Sequence, residues 1–430
     1  MTERVFNTQK NIITMLKKVH KFGLISVVAT VVCAGCSLYD LDGEKSDGEY
    51  QDIPLTRTQM EYAKTGNNAF ALNLFKEVAE DQDIVISPLS ATFALGMIDN
   101  GATGNTRDQI DKALGYEDSS LDGLNSFCGS MMKNANKVDS LANVEFANAI
   151  VVNNRKGKLL DDYTRAVEKN YQAELFKLDF IKDDVAGNIN IWCGKHTHGK
   201  ISQMMTSQPS PDSYLYALNV LYFKAPWRSK FRHAQTEHFT DIDGRQVDVK
   251  MMSQVETFKY ASISGCCTAV SLPFGNQAYN MLFIMPEEGK TLHDLKKSID
   301  LKMWNKIDKS FKEYKVDVKI PSFAITYDSS LKNTLQKLGI VDAFNPSAAE
   351  FRLMTKEEAP WVSDVRQKAR IIIDENGVEA SAVTIVGMGL SISNGPQQAE
   401  KTFHADRPFL YAITEVSTGA IFFIGQYTGK

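Results

Sequence analysis

The 430-residue chain has no basic excess. Lys and Arg number 48 against 52 Asp and Glu, for a formal net charge of -4. No basic stripe stands out, which excludes a general nucleic-acid footprint. No GxSxG, HExxH, P-loop or GxGxxG pattern occurs, so hydrolase, zinc-protease and nucleotide-binding readings have no anchor. No linker-like segment divides the chain after residue 70. Six cysteines are too few for a disulfide framework in a chain this long. Cys128, Cys193, Cys266 and Cys267 form no CxxC and are expected as buried, small apolar side chains. Cys266 and Cys267, being adjacent, are expected on opposite faces of a strand. His196 and His198, two apart, fall on different faces of a helix, so no metal site is expected there and both should face solvent. No cofactor is implied, and an enzyme is not expected.

One further absence is local. Between Arg370 and Lys401 there is no Lys, no Arg and no aromatic residue. The stretch DENGVEASAVTIVGMGLSISNGPQQAE, from Asp374 to Glu400, follows the strand-like run Ala369–Ile373 and precedes a second apolar run, Phe409–Ile413. Connections this long inside a domain are functional or disordered. Here the first half has a strand's period. Val378, Ala380, Ala382, Thr384, Val386 and Met388 are all apolar or small, and alternation puts them on one face. Gly377 supplies a pivot. A loop with a buried strand's pattern is a switch.

The N-terminus carries an address. Lys17, Lys18 and Lys21 precede the apolar run Phe22–Val32, too short to span a bilayer comfortably. It ends in Cys33-Ala34-Gly35-Cys36, which resembles a bacterial lipoprotein cleavage site. Cys36 is then the lipidated first residue, at the outer membrane or cell surface. Cys33 stands where Leu is usual, and Met15 offers an alternative start. An ordinary cleaved signal or a membrane anchor is the competing reading. Residues 37–66 read as a polar, acidic tether, with Asp40, Asp42, Glu44, Asp47 and Glu49. The domain is expected over 67–430.

From Asn68 onward the chain resembles one family. VISPLSATFALGMIDNGATGNTRDQI, Val144–Val152 (VEFANAIVV), Ile189–Ile201 (INIWCGKHTHGKI), Ala217–Trp227 (ALNVLYFKAPW), the paired Met251–Met252, Val318–Phe323 and Phe403–Phe409 (FHADRPF) resemble, in order, the serpin family of protease inhibitors. The resemblance implies an α+β fold with three β-sheets, eight or nine helices and an exposed reactive-centre loop at about 375–402. It implies that Ser87, Ser90 and Asn219 hold two strands of the main sheet closed. Gln367 stands where many members carry His, and Trp192 matches an aromatic near the top of the same sheet. Glu375, Gly377, Val378, Glu379, Ala380, Ser381 and Ala382 match the hinge of inhibitory members, with Val378 in place of the usual Thr or Ser. Counting from the hinge Gly puts the scissile bond at Ser391–Ile392. Leu390–Ser391 and Met388–Gly389 are the alternatives. The expected partner is a protease of elastase, chymotrypsin or subtilisin type, or a papain-like cysteine protease, trapped covalently by a monomeric inhibitor. A non-inhibitory serpin-fold binding protein and a surface adhesin are the rival readings.

Overall fold

A computed structural model describes residues 50–116, 120–232, 234–356, 360–378 and 399–430. The described residues from Tyr50 to Lys430 belong to a single compact unit.

The first helix begins earlier than the sequence suggests. Arg57–Tyr62 passes through a π turn, Ala63–Asn67, into Asn68–Val78, and the three together are α1. Thr56 caps it in a reciprocal box with Gln59, which satisfies two otherwise orphaned amides. Tyr62 packs its ring edge-on against Tyr116 and Phe127 at 4.5 and 5.0 Å. Ile53 is buried, and its amide donates to Ser417 Oγ at 3.1 Å. Residues 50–66, read from composition as part of a tether, are therefore packed onto the domain. Polar spacing hid two anchors, Ile53 and Tyr62.

Eight more helices follow among the described residues: α2 (Pro88–Asp99), α3 (Gly104–Leu114), α4 (Leu121–Asn134), α5 (Asp161–Tyr171), α6 (Val185–His196), α7 (Leu292–Ser298), α8 (Leu301–Ser310) and α9 (Lys332–Lys337). Every residue of α2 is buried. A helix apolar all round belongs inside a protein, and α2 runs beneath the main sheet.

The main sheet has six strands: β2 (Asn143–Asn153), β3 (Glu174–Leu178), β4 (Leu215–Pro226), β10 (Phe323–Ser330), β11 (Val362–Asp374) and β12 (Gly377–Val378), in the order β10-β11-β12-β4-β2-β3. Its inner face meets the principal core with α2. Its outer face is covered by α6, where Ile189, Trp192 and Cys193 pack on Ala149, Val151, Leu218 and Val220. Burial on both faces explains why β4 reads as a mostly apolar run, broken by Asn219 and Lys224.

The remaining strands form a nine-stranded network through one long strand, β6 (Gln246–Ile263). The first part of β6 pairs with β5 (Gln235–Thr240), and its middle pairs with β9 (Lys312–Pro321). Strand β9 in turn pairs in parallel with β13 (Lys401–His404). The end of β6 pairs with β7 (Cys267–Pro273). Beyond it lie β8 (Tyr279–Pro286), β14 (Phe409–Glu415), β15 (Ile421–Tyr427) and β1 (Ile84–Ile86). The second and third sheets of the expected architecture thus share β6. Cys267 opens β7, whereas Cys266 lies in the β6–β7 turn, so the pair does not straddle a strand as expected. All four body cysteines are buried and unbridged.

Candidate hinge and latch in the main sheet

Strand β11 ends at Asp374 and the chain reverses through Glu375 and Asn376. Gly377 and Val378 then pair on both sides at once. Val378 lies opposite Ile373 of β11 and Ala225 of β4, and Gly377 lies opposite Asp374 and Pro226. Gly377 and Val378 of the hinge are thus already wedged into the sheet as β12, and Val378 is 1% exposed. The sequence placed this segment in an exposed loop. The structure places its first step inside.

Local chemistry holds the wedge. The Asp374 carboxylate accepts from the amides of Asn376 and Gly377 at 2.7 and 3.2 Å, closing the turn. The Glu375 carboxylate accepts from the Ala234 amide at 3.1 Å, and its carbonyl accepts from the Phe231 amide. Trp227 donates its indole N–H to the Asp374 carbonyl at 2.8 Å and its amide to the Asn376 carbonyl at 2.8 Å. Gly377 has φ 147°, and a Cβ there would lie 2.2 Å from the Ala225 carbonyl oxygen. Only glycine fits that approach.

Below the wedge the two flanking strands part. They rejoin at Gln367 opposite Asn219, where β11 and β4 pair in parallel down to Val362 and Leu215. Among the described residues, nothing pairs with the facing edges of Lys368–Ile372 and Val220–Lys224. The rejoining point carries a buried polar latch. Gln367 Nε2 donates to the Ser87 carbonyl at 2.6 Å, and Gln367 Oε1 accepts from the Ser87 amide at 2.9 Å. Ser87 caps α2, and its hydroxyl donates to Ser90 Oγ at 2.9 Å. Asn219 turns to the other side and donates to Asn148 Oδ1 of β2 at 2.5 Å, while Asn148 donates to the Tyr171 carbonyl at 2.7 Å. Gln367 and Asn148 each use both ends of the amide, as low-dielectric surroundings demand, whereas Asn219 Oδ1 has no hydrogen-bond partner among the described residues. Ser87, Ser90 and Gln367 form one hydrogen-bonded group, and Asn219 lies opposite Gln367 in the sheet but bonds to Asn148. Asn148 was missed, although a lone Asn in the apolar run VEFANAIVV was its signal.

Trp192 is not at the top of the sheet. It sits on α6, and its indole N–H donates to Glu174 at 3.0 Å. Glu174 is opposite Ala149 of β2, which is opposite Leu218. That level is the middle of the sheet. The aromatic at the top is Trp227. The sequence match followed local spacing, whereas height in the sheet is set by pairing register. His198 is exposed, as expected, whereas His196 is half-buried. His196 Nε2 meets Glu174 at 2.6 Å, and His198 Nε2 meets Glu145 at 3.1 Å with its ring 4.8 Å from Tyr222. They tie the end of α6 to three strands.

The segment after α6 crosses to β11. Lys368 donates to the Gln203 carbonyl at 2.7 Å, and Arg370 to the Lys200 carbonyl at 3.4 Å. This strap spans the parted strands on their outer side.

Glu379, Ala380, Ser381, Ala382, Met388, Leu390, Ser391, Ile392 and Cys36 lie outside the described residues. Among the described residues, no group of three or more potential metal ligands occurs, and no helix is long and apolar enough to cross a membrane.

The family model for Serpin (serine protease inhibitor) matches residues 65–429. Iripin-2 of Ixodes ricinus is 30% identical over 84% of this chain and 91% of its own length. Serpin B9 of Homo sapiens is 29% identical over 86% of this chain and all of its own. The native state of the thermophilic serpin tengpin superposes with a TM-score of 0.79 at 26% identity, covering 90% of this chain and 98% of that one. Thyroxine-binding globulin in complex with thyroxine gives 0.76 at 25%, covering 85% and 98%. A two-residue wedge, a latched sheet beneath it and a family match over most of the chain lead to one conclusion: the chain belongs to the serpin family.

Proposed function

We propose that this serpin inhibits serine-type endopeptidases by loop cleavage, insertion of the cleaved loop into the main sheet and covalent trapping of the protease. The observation that carries the reading is the wedge of Gly377 and Val378 between β11 and β4. Continuing that antiparallel register, Ala380 would meet Ile371 and Phe223, and Ala382 would meet Ala369 and Leu221. All four partners are buried on the inner face. Small inward side chains suit that space, and bulky or charged ones would block it. Residues 379–383 would fill the parted edges. Thr384 would arrive opposite Gln367 and Asn219, so the latch has to open from that residue onward.

The chemistry belongs to the protease. Its serine attacks the loop carbonyl and forms an acyl ester through its own oxyanion hole. Cleavage frees the hinge side while the ester remains on the new C-terminus. Some 13 inserted residues at about 3.3 Å each would carry the tethered protease roughly 40 Å. About a dozen new ladder hydrogen bonds, at about 1 kcal/mol net each, supply on the order of 10 kcal/mol. A catalytic triad misplaced by about 1 Å loses most of its rate, and the ester persists.

The absence of Lys and Arg between residues 370 and 401 directs the choice to elastase-, chymotrypsin- or subtilisin-like targets, since a trypsin-like pocket carboxylate requires a basic residue. Papain-like cysteine proteases are the second class. The bond proposed is Ser391–Ile392, with Leu390–Ser391 and Met388–Gly389 next. Cys36 is proposed as the lipid attachment point that holds the inhibitor at a cell surface.

Incubation with pancreatic elastase tests the reading. A complex that survives boiling in detergent is expected, and the mass of the released C-terminal peptide fixes the bond. Clean cleavage with no complex across elastase, chymotrypsin and subtilisin would favour a non-inhibitory binding protein. Thyroxine-binding globulin, among the structural neighbours, is one serpin seen with a small-molecule ligand.

A further inference from the structure

Asn–Gly steps occur in the chain at Asn100, Asn376 and Asn394. Glycine carries no Cβ beside its own nitrogen, so that nitrogen can approach the amide carbon of the preceding side chain. The two steps that the structure describes are held very differently. Asn100 caps the end of α2 and is buried. Its Nδ2 donates to the Gly96 carbonyl at 2.7 Å and to Asn125 Oδ1 at 2.8 Å, and its Oδ1 accepts from Asn125 Nδ2 at 3.0 Å. Asn376 is half-buried in the two-residue turn between β11 and β12. Among the described residues, its side-chain amide makes no hydrogen bond. Asn394 lies outside the described residues.

A second observation concerns the nitrogen of Gly377. It donates to Asp374 Oδ1 at 3.2 Å, within the reach of a general base. The backbone beside it is fixed. The Asn376 amide donates to the same oxygen at 2.7 Å, and the Asn376 carbonyl accepts from the Trp227 amide at 2.8 Å. The side-chain amide of Asn376 is thus free to turn, while the nitrogen it would meet is held in place beside a proton acceptor.

We propose that Asn376–Gly377 is a self-modifying site that limits the working life of the hinge. The Gly377 nitrogen attacks Asn376 Cγ. Its proton passes by way of Asp374 to the departing side-chain nitrogen, which leaves as ammonia. A five-membered succinimide then joins the two residues. Water opens the ring at either carbonyl and leaves aspartate, or isoaspartate with the main chain running through Cβ and Cγ. The net change is one water consumed and one ammonia released, with no oxidant and no cofactor. Both products set another carboxylate beside Asp374 and Glu375. Isoaspartate also adds a methylene to the connection between β11 and β12. The wedge has no slack for it, since a Cβ on Gly377 would already lie 2.2 Å from the Ala225 carbonyl oxygen and Val378 is buried between two strands. The lengthened turn cannot keep both the pairing of Gly377 with Pro226 and the bond from Trp227, so the wedge is expelled. The consequence for inhibition rests on the inhibitory reading, because the cleaved loop would enter the sheet behind this wedge. The modification itself does not depend on that reading.

The full chain is held at 37 °C and pH 7.4 for four weeks, and isoaspartate is measured by enzymatic methylation. Trypsin releases 371–401 as one peptide, because no Lys or Arg lies between Arg370 and Lys401, and fragment masses locate each gained dalton. Conversion at Asn376 at least tenfold faster than at Asn100 is expected. The aged chain should be cut near Glu379 at least fivefold faster than fresh chain in limited digestion. Its covalent complex with elastase should fall at least threefold. Asn376→Gln, measured against its own fresh sample, should change less than twofold in both. Conversion at Asn376 no faster than at Asn100 overturns the proposal, and so does a modified hinge as resistant to digestion as a fresh one. Equal ageing of the parent and the Gln variant, with modification confined to Asn394, overturns it as well. If neither fresh nor aged chain traps any protease, the inhibitory reading falls, while digestion of the aged hinge still decides whether modification expels the wedge.

Discussion

On the proposed mechanism, single side chains set the barrier that keeps this molecule in its native form. Gln367 holds the rejoining point of β11 and β4 by two hydrogen bonds to the Ser87 backbone. Gln367→Leu would leave the Ser87 amide buried without a partner, at a cost of about 1–3 kcal/mol, while its carbonyl keeps the Ala91 amide. The uncleaved form should then convert to the inserted or polymeric form several-fold faster at 50 °C, as followed by native gel, and an unchanged half-life would exclude the latch. Because an amide stands here in place of His, no acid-triggered opening is expected from this position. A different residue brings pH dependence. Both carboxyl oxygens of Asp99, at the far end of α2, lack a hydrogen-bond partner, with Arg107 Nε 3.5 Å away. Burial, then repulsion from Asp111, pushes its carboxyl up to about 7, against the attraction of Arg107. A raised carboxyl means that the native state holds a proton the unfolded chain has released. Its stability contribution is full below the ordinary carboxylate range and is lost as pH rises toward 7. Asp99→Asn should therefore raise the denaturant midpoint at pH 8, with a gain that shrinks toward zero as pH falls to 4. Parallel curves for parent and variant would contradict this.

At the scale of elements, the decisive contact is the one β12 makes on both edges. Gly377→Ala would drive a Cβ into the Ala225 carbonyl and should expel the wedge. The loop is then expected to become more susceptible to proteolysis near Glu379, measurable by limited digestion. Further along, Ala382→Arg would place a charge against Ala369 and Leu221 under the projected register. The prediction is conversion from inhibitor to substrate, with cleavage retained and covalent complex reduced at least tenfold on a denaturing gel. An undiminished complex yield would show that this register is not used. The strap after α6, bound by Lys368 and Arg370, lies over the same gap and has to shift as it fills.

For the whole molecule, the proposed mechanism requires a native state held by a barrier and not by its free-energy minimum. Nicking within 388–392 should raise the melting temperature by tens of degrees if the freed segment joins the sheet. A nicked chain that melts with the intact one would remove the basis of the inhibitory reading.

The linear sequence determined the family and pointed to Gly377, Val378, Ser87, Ser90 and Gln367. Glycine, small alternating side chains and buried hydroxyls are requirements of local backbone and local volume, so they are written locally. Trp192 marks where that reading fails. Its neighbours in the chain match a pattern, yet its level in the sheet depends on how β2, β3 and β4 pair, and register is a non-local property. The same holds for Asn148 meeting Asn219 and for a helix that starts at Thr56. Only the tertiary structure could decide that Val378 already lies between two strands, because the space it fills is made by residues about 5 and 150 positions away in the chain.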